Sequence, residues 1–160
     1  FTDTWREQVG NEWIRARFHG VAHTSGDAVV TFERANVAHM GDLMFKGRHP
    51  IIDRAAGGSI KSWIGVLEKS AADHSNDTVY IFGHTSMNRP VTGPRADLMR
   101  LRDYFTALLA FVGAEMKAGK TKEQIHDDTD RDKILGAEES VAYGLVDQIM
   151  QRRKPTAVPG

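Results

Sequence analysis

The sequence predicts a mixed α/β chain of the α+β type: short strands up to residue 40, then amphipathic helices separated by one further strand. Three observations carry this. Residues 13–18, WIRARF, alternate apolar and charged side chains with the period of a strand. The Val- and Thr-rich runs AVVTF at 28–32 and NVAHM at 36–40, separated by ERA, read as an antiparallel pair. From Ser59 onward the apolar spacing changes from two to the 3.6 of a helix.

Taken in order, the first strand should bury Ile14, Ala16 and Phe18 and turn Arg15 and Arg17 outward, and it runs into the polar loop HTSGD at 23–27. The pair 28–32 and 36–40 leads into GDLMFKGRHPIID, a loop longer than most connectors that is followed by Gly57 and Gly58, a length more typical of function than of simple linkage. Ser59 can cap a helix carrying Ile60, Trp63, Ile64, Leu67 and Ala71 on one face. DTVYIF at 77–82 is a strand that ends directly in GHT, which places His84 just past its C-terminal end. Pro94 suits the first position of a long helix whose stripe Leu98, Leu101, Phe105, Leu108, Leu109, Val112 and Met116 runs to Gly119. Beyond it TKEQ at 121–124 fits a capping box, AEESVAY at 137–143 a short helix stopped by Gly144, and LVDQIM a strand. The expected organisation is one unit over 1–119, a distinct helix-strand segment over 120–154, and a disordered tail over 155–160.

Composition narrows the partners and leaves the compartment open. Of 160 residues 41% are apolar, enough for a packed core, and 21 basic residues balance 21 acidic ones, so no global field attracts nucleic acid or an anionic membrane surface. No apolar run approaches the length of a membrane span. The absence of cysteine removes disulfides, thiolate metal sites and cysteine nucleophiles without assigning a redox compartment. Phe1 reads as a cut end, since neither a methionine nor a signal sequence opens the chain.

Three strand-to-loop junctions carry side chains able to hold a metal: His23, Asp42 and His84. Imidazole and carboxylate are the usual ligands of a cysteine-free zinc site, and separate strand ends can converge on one point. By spacing alone the structural reading stands beside this one: each of the seven histidines caps a strand or bonds a loop carbonyl. Asp27 reads as a loop-holding acceptor of an N–H. His19, His39 and His74 carry no motif role, and His49 could line a substrate cleft.

The order HTSGDAVVTFERANVAHMGDLMF, GGSIKSWIGVLEK, DTVYIFGHT resembles the C-terminal half of a metallo-β-lactamase-fold metallohydrolase, over roughly residues 1–119. The resemblance implies half of an αββα sandwich and two zinc ions, with His23 a ligand of the first, Asp42 bridging the two and His84 a ligand of the second. Two close divalent cations need such an anionic bridge, and they acidify a water held between them. The family's H-x-H-x-D-H motif, which supplies the remaining ligands and is expected upstream of this segment, is absent from the sequence. Three ligands shared by two metal positions imply weak or partial zinc binding and no hydrolysis by the isolated chain.

DDTDRDKILGAEESVAYGLVDQIM, at 127–150, resembles instead the C-terminal end of the proteolytic subunit of the Clp protease, a serine peptidase of stacked seven-membered rings. The resemblance places its histidine-orienting aspartate at Asp132 and a ring-contact arginine at Arg131. An aspartate only orients a histidine that must itself activate a serine, and neither of those segments is present, so DDTDRD reads here as a solvated charge cluster before a short helix. The chain is thus chimera-like. It is expected to self-associate or to bind a complementing half-domain through the sheet surface such a half exposes. The alternatives are a non-enzymatic recombined or designed globule carrying its motif residues as passengers, and a module linked to Clp-type assembly.

Overall fold

The computed structural model describes residues 2–129. Within them lie β1 (Thr4–Val9), β2 (Glu12–Arg17), β3 (Val29–Phe32), β4 (Val37–His39), β5 (Phe45–Lys46), α1 (Ile60–Ala72), β6 (Val79–Ile81), β7 (His84–Thr85), β8 (Thr92–Gly93), α2 (Arg95–Lys117) and α3 (Lys122–Thr129). The chain divides into two units, with the break after Gly113. The helix expected at 137–143, the strand at 145–150, the tail at 155–160 and Asp132 lie outside the described residues.

In the first unit a six-stranded sheet has the order β1-β2-β3-β4-β6-β8, and β5 and β7 form a separate parallel pair. β1 through β4 run as an antiparallel meander, β4 and β6 are parallel with α1 in the crossover, and β6 and β8 are antiparallel. The β1–β2 hairpin turns on Gly10-Asn11 with Gly10 at φ 62°, a conformation glycine adopts without strain. Strand β1 escapes a hydrophobic-pattern reading because TWREQV is exposed at all six positions.

Register sorts the side chains onto two faces. Arg15, Thr31, Ala38 and Tyr80 lie side by side on the inner face, where Thr31, Ala38 and Tyr80 are buried with Val29. There they meet Trp63, Val66, Leu67 and Ala71 of α1 and Leu98, Leu101 and Phe105 of α2 in one core. Full burial of each large side chain in that set stabilises by about 1.5–3 kcal/mol. α1 begins where expected: the Ser59 hydroxyl accepts the Ser62 N–H at 3.5 Å, and the indole of Trp63 donates to the Leu43 carbonyl at 3.1 Å.

Three expectations are corrected. Strand β2 does not bury Ile14 and Ala16 with its arginines outward; Arg15 faces inward, within 2.8 Å of Asp73 at the C-terminal end of α1, and Ile14 and Ala16 lie on the outer face. The carboxylate of Asp73, which also pairs with Arg17 at 2.5 Å, is what makes the inward arginine tolerable. The apolar stripe of α2 is buried only as far as Phe105, and Met116 is 66% exposed. Pro94 precedes α2 rather than opening it, its carbonyl accepting the Asp97 N–H at 3.0 Å. The capping box forms around the start of α3 in the second unit: Thr121 N–H donates to Gln124 Oε1 at 2.8 Å and Gln124 N–H to the Thr121 hydroxyl at 3.3 Å.

Candidate metal centre

Three loops meet beyond the ends of β2, β4 and β6, and each brings one of the three residues singled out by the sequence. His23 stands in the loop between β2 and β3, Asp42 in the 3₁₀ turn Gly41–Leu43 that follows β4, and His84 in the short strand β7 that follows β6. Backbone contact holds the last two together: Gly83 N–H donates to the Gly41 carbonyl at 3.0 Å, and a Cβ on Gly83 would fall 2.3 Å from that same oxygen. The glycine before His84 is therefore demanded by the approach of the Asp42 turn. A Cβ on Gly58 would likewise fall 2.3 Å from the His23 carbonyl, so the glycine pair closes on the HTSGD loop.

At the centre, His84 Nε2 lies 2.9 Å from one carboxylate oxygen of Asp42 and His23 Nε2 lies 3.6 Å from the other. His23 Nδ1 is 2.7 Å from the Ile51 carbonyl. A carbonyl can only accept, so Nδ1 carries a proton and Nε2 faces Asp42. That is the arrangement in which a histidine presents itself to a metal, its second nitrogen held by a backbone oxygen. Both imidazoles rest on aromatic walls. The ring of Phe45 stacks on His84 with centroids 4.3 Å apart, and Trp63 meets the His23 ring edge-on at 5.8 Å. Phe45 and Trp63 also touch each other at 6.2 Å, so one buried pair braces both histidines.

The donor set suits a divalent cation in kind: two imidazoles and a carboxylate, arranged as two nitrogen-oxygen pairs sharing one aspartate. It falls short in number. Among the described residues no group of three or more His, Cys, Asp or Glu side chains is placed to hold a single ion. At 2.9 Å His84 and Asp42 satisfy each other directly.

The other singled-out residues serve the scaffold. Asp27 accepts the Thr24 N–H at 2.6 Å and shapes the HTSGD loop. His74 bridges the Ser70 carbonyl at 2.7 Å and the Thr31 hydroxyl at 2.9 Å. His19 is buried beside Asp73, and burial pushes its pKa down to about 4 against the pull of that carboxylate. His39 lies exposed on the outer sheet face, its Nδ1 accepting the Gly41 N–H at 3.2 Å. His49 meets the Tyr104 hydroxyl at 2.6 Å. Pattern reasoning missed Phe45, which sits in an apparent loop, and the Ile51 carbonyl, which no side-chain pattern reports.

Comparison with known proteins finds two kinds of relative. The Clp protease family matches residues 95–153, beginning at the first residue of α2 rather than beyond Gly119. The ATP-dependent Clp protease proteolytic subunit 1 of Corynebacterium glutamicum is 49% identical over 59 residues, 37% of this chain and 26% of that protein. The proteolytic subunit 2 of Pseudomonas aeruginosa is 28% identical over 159 residues, 90% of this chain and 76% of that protein. By structure, a metallo-β-lactamase from Pontibacter korlensis superposes with a TM-score of 0.54 at 17% identity, covering 66% of this chain and 47% of that one. The metallo-β-lactamase IND-7 superposes with a TM-score of 0.50 at 22% identity, covering 64% and 46%. The chain thus spans about a quarter of the Corynebacterium protein and a little under half of each lactamase. It is chimera-like: a metallo-β-lactamase fold of the α+β type joined to a segment that matches the Clp protease family.

Proposed function

We propose that the chain provides one half of a two-zinc hydrolase centre, with His23 serving one metal position, His84 the other and Asp42 both. The observation that carries this reading is the convergence of two histidines from separate loops on the two different oxygens of one aspartate. The Nδ1 bond of His23 supports it, because that bond leaves Nε2 free to coordinate. The bound metals supply Lewis acidity and an acidified water at neutral pH. The chain's own part is to fix two imidazoles against Phe45 and Trp63 and to set a carboxylate between them. Since each position has only two donors among the described residues, the isolated chain is expected to bind zinc weakly and not to be a working hydrolase by itself.

The remaining ligands belong to a complementing half, and the outer sheet face is the surface that would receive it. Two rows cross that face, Trp5, Ala16, Val30, His39 and Ile81, and Glu7, Ile14, Phe32, Val37 and Val79. Eight of these ten side chains are apolar and none is buried. An apolar sheet face without cover is an association surface. The expected partner is a second copy or a separate complementing half; a stable monomer across concentrations by size-exclusion chromatography would refute this.

The deciding experiment is calorimetric zinc titration of chelator-treated protein beside His84→Ala. Weak binding that the substitution abolishes is expected. Tight binding of two equivalents would show the site to be complete, and binding indifferent to the substitution would make the motif residues passengers. One observation favours that second, non-enzymatic reading of a composite globule: the described residues hold no three-donor group. Under it Asp132 is likewise a remnant.

A further inference from the structure

The loop that follows β5 holds His23 at two points. Its Ile51 carbonyl accepts from His23 Nδ1 at 2.7 Å, and its Asp53 N–H donates to the His23 carbonyl at 3.2 Å. Ile51 does this with its backbone alone, for its side chain is 63% exposed. What keeps the Ile51 carbonyl in place must therefore lie on either side of it. Ile52 packs against the core after it, and Pro50 is fully buried before it. Next to Pro50, the His49 ring meets Tyr104 of α2, Nδ1 to hydroxyl at 2.6 Å, with the ring centroids 5.8 Å apart and nearly perpendicular.

We propose that Tyr104 is a positioning residue for His23: its hydroxyl latches His49, the latch fixes the 49–53 strap, and the strap sets the tautomer of His23 and hence the nitrogen that faces Asp42. The chain of contacts runs from α2 to the candidate centre through two side-chain hydrogen bonds and the backbone of residues 49–51. Each link is short and directional, and the only part of it a sequence displays is a histidine before a proline. The value of the latch to metal binding rests on the two-zinc reading; its effect on the His23 tautomer does not.

The test separates the two. In metal-free protein, ¹⁵N NMR at mildly alkaline pH, where a free imidazole is neutral, reads the His23 tautomer directly. Hydrogen exchange reads the Asp53 amide. Tyr104→Phe and His49→Leu should each shift His23 away from the Nδ1–H form and speed exchange at Asp53 by roughly fivefold, a local opening that leaves global stability nearly unchanged. His49→Asn, whose side-chain oxygen stands near the place of Nδ1, should restore both readings. Zinc affinity measured by chelator competition should fall about tenfold in Tyr104→Phe, in line with the loss of an outer hydrogen-bond partner. An unchanged tautomer in Tyr104→Phe overturns the latch even if zinc binds the parent protein. A shifted tautomer in a protein that binds no zinc keeps the latch and overturns the metal reading. A shifted tautomer with unaltered zinc affinity overturns the role of the latch in metal binding.

Discussion

The two faces of the six-stranded sheet are built from the same strands and meet opposite fates, although the outer face carries more of the apolar side chains. Inside, Val29, Ala38 and Tyr80 are sealed under α1 and α2; outside, Trp5 is 40% exposed and Val79 45% exposed. β-branched and aromatic residues suit either face of a strand, so propensity does not distinguish them. The difference lies in what docks: an amphipathic helix follows β5 and another follows β8, and both fold back on the same side. Among the described residues one apolar face is covered and the other is not, and the chain spans a little under half of each lactamase it is similar to in fold.

Substitutions on the two faces should expose this asymmetry. The largest effect belongs to the covered side. Trp63→Ala removes a fully buried ring that contacts His23, Phe45 and Phe105 and donates to Leu43. It should cost about 3–5 kcal/mol in urea unfolding, and a loss below about 1 kcal/mol would mean that the inner face is not the core.

A smaller effect concerns the polar end of the same face, where His19 is held neutral by burial with its pKa down to about 4 from an ordinary 6.5. Between those values the unfolded chain binds a proton that the folded chain refuses. Stability is therefore fully present above about pH 6.5 and drains away as pH falls towards 4, by on the order of 2–3 kcal/mol. In His19→Gln the unfolding free energy should be flatter across that window; an identical pH profile would contradict the assignment.

The smallest effect on stability should come from the bare side. Val79→Asp is expected to change the unfolding free energy of the monomer by less than about 1 kcal/mol, while lowering self-association in sedimentation velocity at every concentration tried. If it destabilised the chain as much as Trp63→Ala, the outer face would be packed against something within the chain itself.

Much of this was readable from residues. The helix from Ser59 announced itself by a cap and a 3.6-residue period, and the pair β3–β4 by its β-branched runs. The capping box at Thr121 needed only four letters. His23, Asp42 and His84 were legible because each sits where a strand gives way to a glycine-bearing loop, although a metal at that point remains the proposal to be tested. The strand β1 was illegible since exposed strands carry no hydrophobic period. The inward Arg15 reversed the expected faces of β2 because its partner, Asp73, is 58 residues away in sequence, and an ion pair of that separation leaves no local pattern.

Sequence by itself determined the local elements, the lack of a global charge, the absence of thiol chemistry and the identity of the three residues that converge. Only the tertiary structure decided that two imidazoles face separate oxygens of Asp42, that Phe45 braces His84, and that a carbonyl at Ile51 chooses the tautomer of His23. The physical reason is one of range. Periodicity and capping act over a few residues and are written in their order. Convergence at the candidate centre depends on groups 28 and 42 residues apart, whose meeting is settled by packing and hydrogen bonding after the chain has folded.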